Sequence, residues 1–316
     1  MQILRQRLSI SWPAVIATGL AAALMLASPA WSQEPPSGRL KVVASFSILG
    51  DVVKNIGGER VDVATLVGPN GDAHVYAPSP ADARKVAEAR IVFVNGLGFE
   101  GWLDRLVKAS GTTAPIVVAS RGVKPLERAE AHEHEGDHDH GKLDPHAWQS
   151  VANARLYVEN IRDALISIDP AGKVAYEAQA GAYLAKLDAL DHEVHDAMAG
   201  IPADRRRVIT SHAAFGYFES AYGIVFIAPQ GVSSEAEASA RDVAAIISEI
   251  KKHRAAAVFL ENVTDPRLVQ QIARETGAKV GGVLYSDALT DEKGEAPTYI
   301  DLMRHNLKQL TNALTS

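Results

Sequence analysis

Short apolar runs alternate with helix-like segments along this chain in two blocks, and one long helical stretch separates the blocks. In the first block KVVASF (41–46), VDVATLV (61–67), IVFVN (91–95) and PIVVAS (115–120) read as buried strands, rich in β-branched residues and bounded by turn residues. SILGDVVKNIGG reads as a helix stopped by Gly57 and Gly58. A second helix opens at Ser79 as N-cap, with Pro80 at its first position and Asp82 three residues on, and a third spans about 99–110. After the gap RRVIT, GIVFIA, AAVFLEN and KVGGVLYSD repeat the strand pattern, with helices between them, one capped by Ser239 and Asp242, and a final helix over 297–314. The gap holds a helix over 150–168 and a longer one over 170–200, capped by Asp169, whose apolar residues recur every three or four positions. Apolar strands alternating with helices predict an α/β fold with mainly parallel sheets. The expected division is a β/α lobe at 33–168, a linking helix at 169–201 and a second β/α lobe at 202–316.

With 316 residues and 47% hydrophobic content the chain can bury a large core. Net charge is -6 and no lysine- or arginine-rich block occurs, which argues against nucleic-acid or anionic-membrane partners. The first 32 residues carry Arg5 and Arg7, the apolar core AVIATGLAAALMLA, and small residues at Ala30 and Ser32. That core is short for a span of about 20 residues, so residues 1–32 are expected to be a signal peptide cleaved near Ser32. The sequence has no cysteine. Disulfides and a lipid-anchored cysteine are therefore not expected, and any metal is expected to be held by histidine and carboxylate. The expected location is the periplasm.

IVFVNGLGFEGWLDRL contains Gly96, Gly98 and Gly101 in a literal G-x-G-x-x-G between a strand and a helix. A dinucleotide site wants this motif in the first β-α unit and an acid about 20 residues further on. Here it lies in the third unit, and the next strand ends in Ser120 and Arg121. Tight turning, which glycine permits sterically, is the better reading.

Four residues recur at one kind of place, a loop after a strand or before a helix. His74 lies in GDAHVYAPSP, His146 in DPHAW, His212 in VITSHAAFGYF and Asp287 in VLYSDALT. Ligands bind at the carboxyl edge of such sheets, and each half supplies two of the four. Three imidazoles and a carboxylate suffice for a tetrahedral zinc site with little room for an activated water, which suits a carrier better than a catalyst. Taken singly each has a plainer reading: a helix cap, turn chemistry around Asp144-Pro145, or a loop-capping acid. Glu261, at the end of VFLEN, is the one candidate general base for a rival zinc-hydrolase reading. His192-Glu-Val-His195 has the wrong spacing for a zincin motif, and His253 and His305 read as helix-surface residues.

The chain resembles the zinc- and manganese-binding solute-binding proteins of ABC transporters over essentially the whole mature length. The similarity rests on ASFSILGDVVKNIGG, LVGPNGDAHVYAPSPAD, VNGLGFEGWLDRL, DPHAW, TSHAAFGYFESAYG and YSDAL followed by TYIDLMRHNLKQL. It implies two lobes joined by a rigid backbone helix, with the metal in the interlobe cleft held by His74, His146, His212 and Asp287. It further implies a non-enzymatic monomeric receptor that hands its ion to a membrane permease, with a periplasmic metallochaperone as a further candidate partner. An imidazole at the third position, His212, favours Zn2+, with Mn2+ the alternative. The tract 131–141 carries His132, His134, His138 and His140 among acids. It is expected to be an auxiliary low-affinity collector or a docking surface for a metal donor, because ordering a mobile loop around an ion costs free energy.

Overall fold

The computed structural model describes residues 38–127, 143–234, 240–253 and 255–315. The expected signal peptide, the histidine tract with His132, His134, His138 and His140, the Ser239 cap and the side chain of His253 lie outside them. The first half runs β1 (Leu40–Phe46), α1 (Ser47–Gly57), β2 (Val61–Val67), α2 (Pro80–Glu88), β3 (Ile91–Val94), α3 (Leu103–Ser110) and β4 (Ile116–Val118). Two helices follow, α4 (Val151–Ile168) and α5 (Lys173–Ala199). The second half runs β5 (Arg207–Ile209), α6 (Gly216–Tyr222), β6 (Val225–Ile227), α7 (Ala240–His253), β7 (Ala257–Glu261), α8 (Pro266–Thr276), β8 (Lys279–Leu284) and α9 (Tyr299–Thr315).

Each half builds a four-stranded parallel sheet, in the orders β2-β1-β3-β4 and β6-β5-β7-β8. The chain direction across each sheet reverses between β1 and β3 and again between β5 and β7, so each lobe has a crevice at the carboxyl ends of those strands. All of β3 and, apart from Ser45, residues 42–46 of β1 are buried and apolar, as expected for strands covered on both faces. The side chains of Tyr176, Ala180, Tyr183, Leu187, Leu190, Val194 and Met198 form one buried stripe along α5. That stripe packs on α1 and α4 from the first half and on α6 and α9 from the second. One continuous core therefore runs from the first sheet through α5 and α9 to the inner face of the second, with a small satellite around Ile209, Ile250, Val258 and Ile272.

The α2 start follows the expected capping chemistry: Ser79 Oγ accepts from Asp82 N at 3.3 Å, and the Asp82 carboxylate accepts from Ser79 N at 2.9 Å. Three local expectations need correction. The third helix begins at Leu103 rather than near residue 99, because Gly96, Leu97 and Gly98 all take positive φ and a turn occupies 101–102. Asp169 does not cap the long helix, which starts at Lys173 after a short 3-10 turn. Its carboxylate instead accepts from Arg60 Nε at 2.8 Å and Tyr176 OH at 2.8 Å. His305 is buried, with Nε2 3.0 Å from the Val283 carbonyl and its ring beside Tyr285.

Asp51 on α1 reaches across to the first turn of α9, accepting from Tyr299 N at 2.9 Å. Burial pushes its pKa up to about 6, against the opposing pull of the Tyr299 and Asn55 hydrogen bonds. A carboxyl that binds its proton more tightly when folded contributes stability below its unfolded pKa of 3.8, and loses it as pH rises through about 6. Asp51→Asn is thus expected to stabilise the protein at pH 8 by about 1–2 kcal/mol, with the advantage vanishing near pH 4. Urea midpoints measured at both pH values test this; an asparagine variant less stable at pH 8 would refute it.

Candidate metal centre

Each of the four loop residues arrives by a separate route. The β2–α2 loop carries His74, whose backbone N–H is held by Asp72 Oδ1 at 2.9 Å. His146 follows the Asp144-Pro145 turn, where Asp144 Oδ1 accepts from His146 N at 2.9 Å and lies 2.8 Å from its Nδ1. Past the end of β5, His212 has its backbone N–H on Glu261 Oε1 at 3.0 Å and its Nδ1 2.6 Å from Glu261 Oε2. Asp287 lies three residues beyond the end of β8.

These side chains converge although they come from opposite halves. One ligand atom from each of His74, His146, His212 and Asp287 lies within 4.8 Å of the others. Asp287 Oδ2 is 3.1 Å from His212 Nε2 and 3.3 Å from His74 Nε2, and its Oδ1 is 3.5 Å from His146 Nε2. The Nε2 atoms of His74 and His146 are 3.2 Å apart. Four donors around a tetrahedral ion with bonds of about 2.0–2.2 Å stand about 3.3–3.6 Å from one another, which these separations approach. Asp287 Oδ1 is fully buried and accepts no hydrogen bond, an unsatisfied acceptor that a cation would satisfy.

The electrostatics agree with that geometry. Burial opposes charge on His146, but Asp287 and Asp144 outweigh it and push the pKa up to about 9. For His212 burial is likewise overcome, by Glu261 and Asp287, and the pKa stands well above the usual imidazole value. Asp287 is held well below the usual carboxylate range, because His212 and His146 outweigh its burial. Burial instead lowers His74. A divalent ion is the natural replacement for protons in such a cluster, since ligating imidazoles must be deprotonated.

Asp144 and Glu261 were not read as orienting groups from the sequence. Each fixes its histidine with Nε2 aimed inward, the carboxylate–histidine arrangement common behind bound metals. Asp144 lies two residues from His146, and Glu261 ends a strand beside the β5–β7 crevice; those positions were the only signals available. Glu261 Oε1 accepts from both Ser211 N and His212 N, and its Oε2 stands on the Nδ1 side of His212, on the far side of the ring from the point where the four donors meet. The general-base role considered for it therefore does not fit. Glu261→Ala should cost about 10–100-fold in metal affinity with the fold retained; equal affinities in a chelator competition would show that it does not orient His212.

The glycine-rich loop has its own occupant. Glu100 Oε1 accepts from Asn95 N and Ser45 Oγ, both at 2.6 Å, and Oε2 accepts from Gly96 N at 3.1 Å. A carboxylate of the chain itself thus takes the N–H groups that a phosphate would need, and burial pushes its pKa up. The same loop supports the metal cluster: Asn95 Nδ2 donates to the Pro145 carbonyl at 2.9 Å, and Phe99 packs edge-on against His74.

Residues 42–313 match the family model described as zinc-uptake complex component A periplasmic. The manganese-binding lipoprotein MntA of Halalkalibacterium halodurans is 36% identical over 277 residues, covering 87% of this chain and 89% of that protein. The iron-binding protein YfeA of Yersinia pestis is 34% identical over 293 residues and 92% of each chain. Among solved structures, the periplasmic zinc binding protein TroA of Treponema pallidum superposes with a TM-score of 0.80 at 28% identity, covering 88% of this chain and 99% of that one. The manganese-bound periplasmic metal binding protein of candidatus Liberibacter asiaticus gives a TM-score of 0.76 at 30% identity, covering 88% and 100%.

Proposed function

The chain belongs to the zinc-uptake complex component A family of substrate-binding proteins of metal ABC transporters, and from that membership we propose that it captures Zn2+ in the periplasm and delivers it to a membrane permease. The observation that carries this reading is the convergence of His74, His146, His212 and Asp287, two from each half, on one buried point. In this reading the four are the ligands, the lobes are residues 33–168 and 202–316, and the segment 169–201 links them. The ion is cargo: a closed donor set holds it without leaving a position for an activated water.

Zinc is favoured because three imidazole nitrogens and one carboxylate suit a borderline-soft ion, and the Irving–Williams order places zinc above manganese and iron(II) at such a site. Manganese is the second reading, supported by the name of the MntA relative. The decisive measurement is elemental analysis of protein purified from the periplasm without added metal. One equivalent of zinc is expected; manganese or iron in its place would overturn the zinc assignment, and no bound metal would overturn the receptor reading. Deleting residues 131–141, with His132, His134, His138 and His140, is expected to leave that single tight site intact in a competition titration.

A further inference from the structure

The three imidazoles of the cluster are not equivalent. His146 and His212 are fully buried, each with Nδ1 against a carboxylate. The His74 side chain keeps 5% of its surface exposed, and its contacts to the other cluster residues run through Nε2, leaving Nδ1 without a carboxylate partner among the described residues. A cavity of about 280 Å³ opens beside it, and His74 is the one residue of the four that lines it. Its walls come from both halves, with Tyr76, Phe99, Trp102 and Arg105 from the first and Val232 from the second. The Tyr76 hydroxyl is committed to Asp82 at 2.8 Å and the Trp102 N–H to the Ala73 carbonyl at 2.7 Å. Among the described residues no carboxylate lines the cavity, and the exposed Arg105 forms no ion pair.

We propose that this cavity docks a small polycarboxylate chelate of the cargo ion, and that the ion passes from the chelate first to His74. The inference rests on the four residues binding a divalent cation, and adds how the ion arrives. A guanidinium fork pairs with a carboxylate through two parallel hydrogen bonds, and aromatic walls suit the carbon skeleton between carboxylates. The volume is close to the lower end of the range for small-molecule sites, about 300 Å³. In a chain of net charge -6, a cation that forms no ion pair among the described residues offers an anionic complex a point of approach. The transfer is a ligand exchange with no change of oxidation state. One metal–oxygen bond to the chelate breaks as the neutral His74 Nε2 lone pair forms a metal–nitrogen bond. Asp287 Oδ2, 3.3 Å from His74 Nε2, then draws the ion inward. The remaining metal–oxygen bonds exchange in turn for the other three donors, any proton on their imidazoles passes to the freed carboxylates, and the polycarboxylate leaves through the cavity.

Two variants separate docking from binding. Arg105→Gln removes the cation. Gly101→Phe fills the cavity from a position where an added Cβ meets no atom within 4 Å. Stopped-flow loading from zinc citrate is expected to saturate with complex concentration in the unmodified protein. Both variants should slow that citrate-fed loading at least tenfold, while the equilibrium affinity for zinc in citrate-free buffer stays within twofold. Citrate-fed rates that are equal in all three proteins, or that match spontaneous dissociation of zinc citrate, would overturn the proposal. If the unmodified protein fails to bind zinc in citrate-free buffer, the receptor reading itself fails, which is a different result.

Discussion

Asp287→Ala is expected to weaken binding of a divalent ion by about 10²–10⁴-fold, the equivalent of the roughly 3–5 kcal/mol lost when one partner of a buried charged pair is removed. Asp287 is the sole carboxylate of the four and touches all three imidazoles, so its loss would remove the one anionic donor and the side chain that meets histidines from both halves. Asp287→Asn keeps the shape and one oxygen donor but not the charge, and should fall between the two. The measurement is a competition titration against a chelator of known affinity, with circular dichroism as the check on folding. An alanine variant that stays folded and binds within tenfold of the unmodified protein would remove Asp287 from the ligand set.

Trp148→Ala is expected to lower stability by about 3–5 kcal/mol and to weaken metal binding as well. The indole is buried against Phe46 and Phe99, with ring centroids 4.9 Å away in both cases, and lies 5.3 Å from the His146 ring. Its N–H donates to the Ser286 carbonyl at 2.9 Å, and Gln149 Nε2 donates to the same oxygen at 2.8 Å. Ser286 precedes Asp287, so one short segment of the first half both carries His146 and grips the loop that carries Asp287. Truncation leaves a cavity and an underused buried carbonyl at the meeting point of the lobes. Trp148→Phe separates the two effects: packing is largely kept while the N–H is lost. Urea unfolding and the same competition titration check both; an alanine variant with unchanged affinity would show that the Ser286 contact does not place Asp287.

Much of this was legible along the chain, because it depends on neighbours in sequence. The β2 run 61–67 and the Ser79-Pro80-Asp82 start of α2 are local matters of alternation and capping, and they appear at their expected places. The helix after the glycine loop was placed too early because glycine spacing alone does not tell which residues take positive φ. The commitment of Asp169 to Arg60 and Tyr176 was not legible either, since Arg60 lies more than a hundred residues away. His305 shows the same limit: helical periodicity permitted an exposed face, and the neighbouring β8 strand covered it.

The four cluster residues stood out in the sequence by position type, each on a loop at the edge of a strand or helix, and the lack of cysteine narrowed the chemistry to nitrogen and oxygen donors. Residue order also determined two parallel β/α halves, through the period and length of the apolar runs. Only the tertiary structure decided that donors from residues 74 to 287 meet within 4.8 Å, that Asp144 and Glu261 stand behind two of the imidazoles, and that of the four it is His74 that lines the cavity of about 280 Å³. The physical reason is distance along the chain. Periodicity reports which face of an element is buried, whereas the meeting of two lobes depends on how α5 and α9 pack between the sheets, a sum of many weak contacts that no short stretch of sequence contains.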